Sequence, residues 1–494
     1  MIGFFHARAV AAVAAACLAA AACGDGRESA TRSLALSECR LPKLAFAAQC
    51  GTLTVPENRM SPQGRQITLT VAVLPANTLN PRPDPLFILP GGPGQAATFL
   101  APLATQLTGV RKDRDIVLVD PRGTGRSSPL TCAAFAASES LADIVEQDPV
   151  PRAAACAKEL IDHGVDPAQY TTAAWIDDLD AVRAALGYAK VNLWGGSYGT
   201  RVALEYLRRH PERVRSVVLD GVVAPSTIAS FDVWPLRDKA LDAILARCAE
   251  LPACHAAHPD LPATMASIRD RLGSAGRDVP VIDPRTGETQ TLHLTFDHVL
   301  GALQTLTYSP ELSALIPETI ARAKHDDYGP LLAATQLVTG NLAEQVNIAL
   351  HYSVICTEDV PRVSPDAPRA LAEARWQGLA LRSLAVCDIW PHGRGPADAA
   401  TPVTSETPVL ILSGALDPVT PPANGDLVAK TLAHSRHLVA KGYGHIVSPH
   451  ACAPRLIAAF IDDPTFASLP AACVAHFENS TAPLPWPDRL GPRG

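Results

Sequence analysis

Lys190-Val191-Asn192-Leu193-Trp194-Gly195-Gly196-Ser197-Tyr198-Gly199-Thr200-Arg201-Val202-Ala203-Leu204-Glu205-Tyr206-Leu207 is the stretch that decides the fold. Its first five residues are β-like, and from Thr200 onward apolar residues recur at helical spacing. Between the two halves stands G-x-S-x-G. A strand that turns into a helix through this motif is a nucleophile elbow. The glycines permit a turn so tight that Ser197 projects alone above the sheet edge, at strained backbone angles. Ser197 is therefore the candidate nucleophile.

Upstream of the elbow, Leu86-Phe87-Ile88-Leu89 runs into Pro90-Gly91-Gly92-Pro93-Gly94. A second run, Ile116-Val117-Leu118-Val119, ends at Asp120-Pro121-Arg122-Gly123-Thr124-Gly125-Arg126-Ser127. Uninterrupted apolar strands of this kind are buried on both faces, as in a parallel sheet. Two further β-like stretches, Gly51–Pro56 and the alternating Gln66–Leu74, precede them. The spacing predicts a helix over Ala173–Leu186 before the elbow strand and a strand over Val214–Leu219 after the elbow helix. From about Ala224 to Thr401 the pattern is mostly helical, with proline-marked boundaries and no run of β-like segments. Strands resume at Val409-Leu410-Ile411-Leu412 and His437-Leu438-Val439. A βαβ core interrupted by a helical block predicts an α/β fold: a mostly parallel central sheet flanked by helices, with an inserted helical lid. The expected division is a signal peptide over 1–22, a tether over 23–38, core over 39–223 and 402–480, the lid over 224–401 and a proline-rich tail over 481–494.

Composition narrows the function. With 494 residues, 47% hydrophobic and 18% charged, the chain is globular and exceeds an ordinary single core. A net charge of −7 without a long basic run gives no footprint for nucleic acid, and 5% aromatics gives few base-stacking platforms. The N-terminus reads as an export signal: Arg8 is followed by the uncharged, alanine-rich Ala9–Ala22. That run is too short to be a permanent membrane anchor. Cys23, preceded by Ala20-Ala21-Ala22, is similar to a bacterial lipobox with alanine where leucine is usual. Simple cleavage and acylation of Cys23 both stand, and a lipid on Cys23 is the only membrane attachment expected.

Cys17 and Cys23 fall in the signal, leaving ten of 12 cysteines for the mature chain. An even number in an oxidising compartment points to disulfides. Sequence does not fix their connectivity. The most economical pairing joins neighbours: Cys39–Cys50, Cys132–Cys156, Cys248–Cys254, Cys356–Cys387 and Cys452–Cys473. A zinc site from Cys248, Cys254, His255 and His258 is the competing reading for one pair, although its spacing matches no familiar zinc pattern.

A serine hydroxyl needs an adjacent base, itself oriented by an acid. Asp417 follows strand 409–412 and His445 lies beyond the last strand, giving the chain order Ser, Asp, His, as in α/β-hydrolases. Taken singly, Asp417 could be a turn residue and His445 an exposed loop histidine. Together, each at a strand's C-terminal end, they complete a catalytic set with Ser197. The Gly92-Pro93-Gly94-Gln95-Ala96-Ala97 loop also fits a dinucleotide pattern, with Asp120 placed as a ribose-binding acid. Pro93, however, removes an N–H from a loop that would have to donate N–H groups to pyrophosphate. The loop reads better as half an oxyanion hole, with the backbone N–H groups of Gly92 and Tyr198 facing a tetrahedral intermediate.

The Gly91–Gly94, Asp120–Ser127 and Gly195–Thr200 motifs together resemble the proline iminopeptidase and tripeptidyl aminopeptidase group of α/β-hydrolases. The resemblance extends over nearly the whole mature chain. Tyr308-Ser309-Pro310 through Asp327-Tyr328, and Tyr352-Ser353-Val354-Ile355-Cys356-Thr357-Glu358-Asp359, are similar to its exported bacterial branch. It implies a serine exopeptidase acting on peptides with free N-termini, without metal or organic cofactor. Two features depart from the pattern: Pro90 stands where these proteins often carry a first-loop histidine, and their Gly-Gly-Glu lid motif is missing. Strict specificity for N-terminal proline is therefore not expected. A cationic α-amine requires a partly buried carboxylate, and Glu358 and Asp359 are the candidates, a solvated loop pair or helix cap being the alternative. Asp120, Arg122 and Arg126 are expected to brace the loop beneath the site, and Trp234, Tyr308 and Trp376 to pack the core or line a lid pocket. An esterase acting on small acyl esters is the runner-up, and a peptide-binding lipoprotein without catalysis comes third.

Overall fold

The computed structural model describes residues 34–136, 141, 148–283, 285–372, 374–483 and 485, without the side chains of 337–344, 368 and 370. The expected signal, Cys23 and most of the tether and tail lie outside those residues. The described residues form eleven strands: β1 (Ser37–Cys39), β2 (Ala48–Pro56), β3 (Gln66–Leu74), β4 (Leu86–Leu89), β5 (Ile116–Val119), β6 (Val191–Gly196), β7 (Val214–Asp220), β8 (Arg277–Ile282), β9 (Thr289–Leu294), β10 (Val409–Gly414) and β11 (Ser435–Ala440). Nine of them form one sheet in the order β1-β2-β3-β5-β4-β6-β7-β10-β11. β1, β2 and β3 pair antiparallel, and β3 joins β5 antiparallel. From β5 to β11 every pairing is parallel.

The apolar strands feed two cores, one on each face. Phe87, Leu89, Val117, Val119, Val409 and Ile411 face one side. Their chain neighbours Leu86, Ile88, Ile116, Leu118, Leu410 and Leu412 face the other. Side chains alternate across a strand, so a strand buried on both faces reads as a near-continuous apolar run. Helix Thr172–Ala185, capped by the Thr171 hydroxyl accepting from Ala174 N–H at 3.2 Å, packs on the first face with Ile176, Leu179 and Val182. No described helix is long and apolar enough to cross a membrane.

The helical block has its own core, built on Trp234, Leu241, Leu303, Ile320 and Trp376. It differs from its predicted pattern in one respect: β8 and β9 form an antiparallel hairpin within it. Val279 and Val281 face Leu292 and Leu294 in that core. Helix Ile348–Glu358, from the same stretch of chain, packs instead into the sheet core through Val354, Ile355 and Cys356.

All five neighbouring cysteine pairs form disulfides. The Cys248–Cys254 bond consumes both thiols of the competing zinc reading. Because Cys356–Cys387 joins two segments of the sheet-facing core, it fixes helix Ile348–Glu358 against the rest of that core.

Candidate active site

β6 ends at Gly196, and helix Tyr198–Arg209 begins two residues later. Ser197 holds the corner at φ 55° and ψ −124°, outside the regions open to ordinary side chains. Its flanking glycines are there for space. A Cβ on Gly199 would lie 2.1 Å from the Leu89 carbonyl oxygen, and one on Gly195 would lie 2.4 Å from the Gly199 oxygen. Ser197 N–H donates to Asp220 O at 2.9 Å, tying the corner to the neighbouring strand. Tyr198 is the first helical residue, so its N–H has no carbonyl one turn back. The loop after β4 lies against the same corner, since a Cβ on Gly91 would be 3.1 Å from the Ser197 Cβ. Among the described residues no acceptor takes the Gly92 N–H.

β10 and β11 run parallel to β6, so the loops after them emerge at the same sheet edge. There His445 Nδ1 lies 2.8 Å from Asp417 Oδ2. Asp417 is itself held: its Oδ1 accepts Val419 and Thr420 N–H groups, both at 2.8 Å, and its Oδ2 accepts the Thr420 hydroxyl at 2.7 Å. Burial of the ring opposes the imidazolium, but Asp417, assisted by Asp220, outweighs it and raises the His445 pKa above its ordinary value. Asp220 is buried at the end of β7 and accepts the N–H groups of Val447 and Ser448, the latter at 2.7 Å. Burial raises its own pKa against those bonds. The Asp220 carboxylate thus anchors the loop that carries His445.

Ser197, Gly92 and His445 line one large cleft, together with Trp234 and Tyr308 from the helical block. The Tyr308 carbonyl accepts His445 N–H at 3.1 Å, and the two rings meet edge to face at 5.6 Å. Trp376 is fully buried in the core of the block, away from the cleft. A nucleophilic hydroxyl, an imidazole with its carboxylate and a loop offering N–H groups can together carry out acyl transfer.

Comparisons with known proteins agree with this fold. Residues 84–257 match the family model described as alpha/beta hydrolase fold. Residues 373–473 match the model described as TAP-like protein. The chain is 28% identical to a tripeptidyl aminopeptidase of Streptomyces lividans over 418 residues, covering 76% of this chain and 73% of that one. It is 26% identical to the serine protease Hip1 of Mycobacterium tuberculosis over 435 residues, covering 80% and 81%. The chain has the α/β-hydrolase fold and is a serine hydrolase similar to tripeptidyl aminopeptidase and Hip1. A protein of Mycobacterium tuberculosis named carboxylesterase B is 27% identical over 440 residues, covering 78% of each.

In this α/β-hydrolase Glu358 and Asp359, the residues expected to hold a substrate amine, are not among those that line the cleft. Glu358 accepts both the N–H and the hydroxyl of Thr172, each at 2.7 Å. Asp359 pairs with Arg201 at 2.8 Å and accepts Ser230 N–H at 3.1 Å. Both carboxylates are buried and already partnered by the protein. The physical reason lies in the helix that precedes them, which packs into the sheet core and delivers them behind the elbow rather than in front of it. Burial raises the Glu358 pKa, with Arg201 and Thr172 opposing. The Thr172 hydroxyl also lies 2.6 Å from the Tyr198 hydroxyl, so this cluster braces the start of the elbow helix.

Asp120 and Arg122 do brace the loop below, though not against each other. Asp120 accepts Thr98 N–H at 2.8 Å, while Arg122 forms a buried two-point pair with Asp178 at 2.7 and 2.8 Å. Thr420 and Asp220 escaped the sequence reading. The only signals for them were a threonine three residues after Asp417 and an aspartate directly after the predicted strand Val214–Leu219.

Proposed function

We propose that this serine peptidase is exported and acts as an aminopeptidase, releasing N-terminal residues or short peptides through Ser197, His445 and Asp417. The observation that carries the reading is the Asp417–His445 pair at 2.8 Å, on a cleft that Ser197 shares and the helical block lines. Ser197 Oγ attacks the acyl carbon as His445 takes its proton. Asp417 holds the imidazole by its Nδ1 and stabilises the imidazolium that forms. The N–H groups of Gly92 and Tyr198 receive the oxyanion, a contribution of about 3 kcal/mol for each donor of this kind. His445 then protonates the leaving amine, and water, deprotonated by the same imidazole, hydrolyses the acyl-enzyme. The alanine-rich N-terminus and the five disulfides support export.

The relative named tripeptidyl aminopeptidase supports the N-terminal mode of attack. The relative named carboxylesterase B, with similar coverage, keeps hydrolysis of small acyl esters as the second reading. One experiment separates them: hydrolysis of a peptide amide with a free N-terminus against its N-acetylated twin, with Ser197→Ala as control. Fast cleavage of the free form alone is expected. Equal cleavage of both would overturn the aminopeptidase reading and favour an endopeptidase or esterase.

A further inference from the structure

Among the described residues Arg237 is a buried cation without a counter-charge. The other deeply placed arginines each have a carboxylate: Arg114 has Asp84 at 3.0 Å, Arg122 has Asp178 at 2.7 Å and Arg201 has Asp359 at 2.8 Å. Arg237 is 7% exposed, and among the described residues no carboxylate pairs with it. Its Nε makes no hydrogen bond. Its one polar contact is a long one, Nη2 donating to the Tyr308 hydroxyl at 3.4 Å. The guanidinium carbon sits 4.5 Å over the Trp234 ring. Burial lowers its pKa, and Tyr308 opposes this only in part. A guanidinium nonetheless stays charged in proteins, so the group cannot escape the cost by losing a proton. An unpaired charge in such a site costs several kcal/mol. Proteins rarely retain that arrangement unless an anion completes it.

The surroundings say where the anion comes from. Trp234 and Tyr308, the two rings touching Arg237, both line the cleft that holds Ser197 and His445, and Arg237 lies directly behind them rather than in the cleft wall itself. Tyr308 also stands edge-on against His445. An anion shared by the Arg237 fork and the Tyr308 hydroxyl therefore lies one aromatic ring from the reacting atoms. We infer that Arg237, with Tyr308 and Trp234, forms a subsite for a carboxylate of the peptide substrate beside the scissile bond. The inference rests on the peptidase reading, because carboxylate is the anion that peptides carry. Two sources share this chemistry: the free C-terminus of a short peptide and an acidic side chain next to the scissile bond. Trp234 orients the guanidinium by a cation–π contact, leaving its in-plane N–H groups to face two carboxylate oxygens.

The test uses the full mature protein and two pairs of peptides sharing one cleavable N-terminal sequence. One pair differs only in a C-terminal carboxylate against its amide. The other, amidated throughout, differs in Glu against Gln beside the scissile bond. The wild type is expected to prefer the acid member of at least one pair by roughly tenfold or more in kcat/KM, as a charge-assisted hydrogen bond allows. The pair that shows the preference identifies the source. Arg237→Gln is expected to collapse that ratio toward one, and Arg237→Lys to retain part of it. Labelling of Ser197 by a fluorophosphonate reports in each variant whether the nucleophile is intact. Should Arg237→Gln fail to fold, the wild type serves alone: benzoate is expected to inhibit competitively and benzamide not. A wild type indifferent to both pairs, a preference that survives Arg237→Gln, or equal inhibition by benzoate and benzamide would each overturn the inference. Hydrolysis without carboxylate preference overturns this inference only. Loss of both labelling and hydrolysis in the wild type overturns the nucleophile assignment, and this subsite with it.

Discussion

At Asp417 a buried carboxylate meets a side chain that gains and loses a proton; at Glu358 and Asp359, on the other side of the elbow, it meets an arginine that does not. Asp417 lies 2.8 Å from His445, whose ring reaches the cleft beside Ser197. Asp359 lies 2.8 Å from Arg201, and Glu358 is filled by both donors of Thr172. Each site is acidic, buried and hydrogen-bonded, so burial and charge do not tell a catalytic carboxylate from a structural one. The partner does. On the function proposed above, a carboxylate that holds an exchangeable proton donor at a cleft serves the reaction, whereas one closed by a permanent cation and backbone N–H groups serves the fold.

The sharpest way to break this contrast is at the nucleophile. Ser197→Ala is expected to lower kcat by about 10⁶-fold while the thermal unfolding curve stays near that of the wild type. Substantial residual turnover would mean that the chemistry belongs elsewhere. Asp417→Asn comes next, with an expected loss of about 10⁴-fold in kcat, because an amide supports the wrong imidazole tautomer. This variant also carries a pH test. His445 must be neutral to accept the Ser197 proton, and its pKa is raised, so kcat/KM should fall with acid at a midpoint above the ordinary histidine value of about 6.5. Without the Asp417 charge the midpoint should move down. A pH profile that does not respond would show that Asp417 is not what sets the imidazole's proton affinity.

The contrast also explains what was legible in the sequence. The strands were legible because Leu86–Leu89, Ile116–Val119 and Val409–Leu412 are apolar without a break, a pattern that a two-sided core imposes. The elbow and the order of Ser197, Asp417 and His445 were legible because each residue lies beyond the C-terminal end of a β-like stretch. The hairpin of β8 and β9 was not: Pro280 interrupts the first strand, and Val279 and Val281 alternate over too few residues to stand out from helical neighbours. The destination of Glu358 and Asp359 was hidden for a different reason. Helix Ile348–Glu358 is buried on almost every side, so no apolar stripe shows which way its end points. Thr420 and Asp220 act only once segments distant in the chain meet, as when Asp220 receives Val447 and Ser448.

Smaller effects sharpen the line between the two acidic sites. Thr420→Val removes a hydroxyl that donates to Asp417 at 2.7 Å but leaves the Val419 and Thr420 N–H donors in place. A loss of roughly tenfold in kcat/KM is expected, in the range of one hydrogen bond to a charged group, with KM little changed. A loss appearing in KM instead would place Thr420 in substrate binding.

Asp359→Ala is expected to do least to catalysis and most to the fold. It leaves Arg201 buried without its 2.8 Å partner, a disruption of about 3–5 kcal/mol that should be plain in thermal unfolding. Glu358, 3.9 Å from the same guanidinium, recovers part of the loss. If the cluster only braces the elbow helix, the surviving folded enzyme should discriminate between free and N-acetylated peptides as the wild type does. A variant of unchanged stability that no longer discriminates would reverse the assignment. It would mean that the carboxylates behind the elbow come forward to hold the substrate's amine, and that the partner seen in the resting protein does not decide the role.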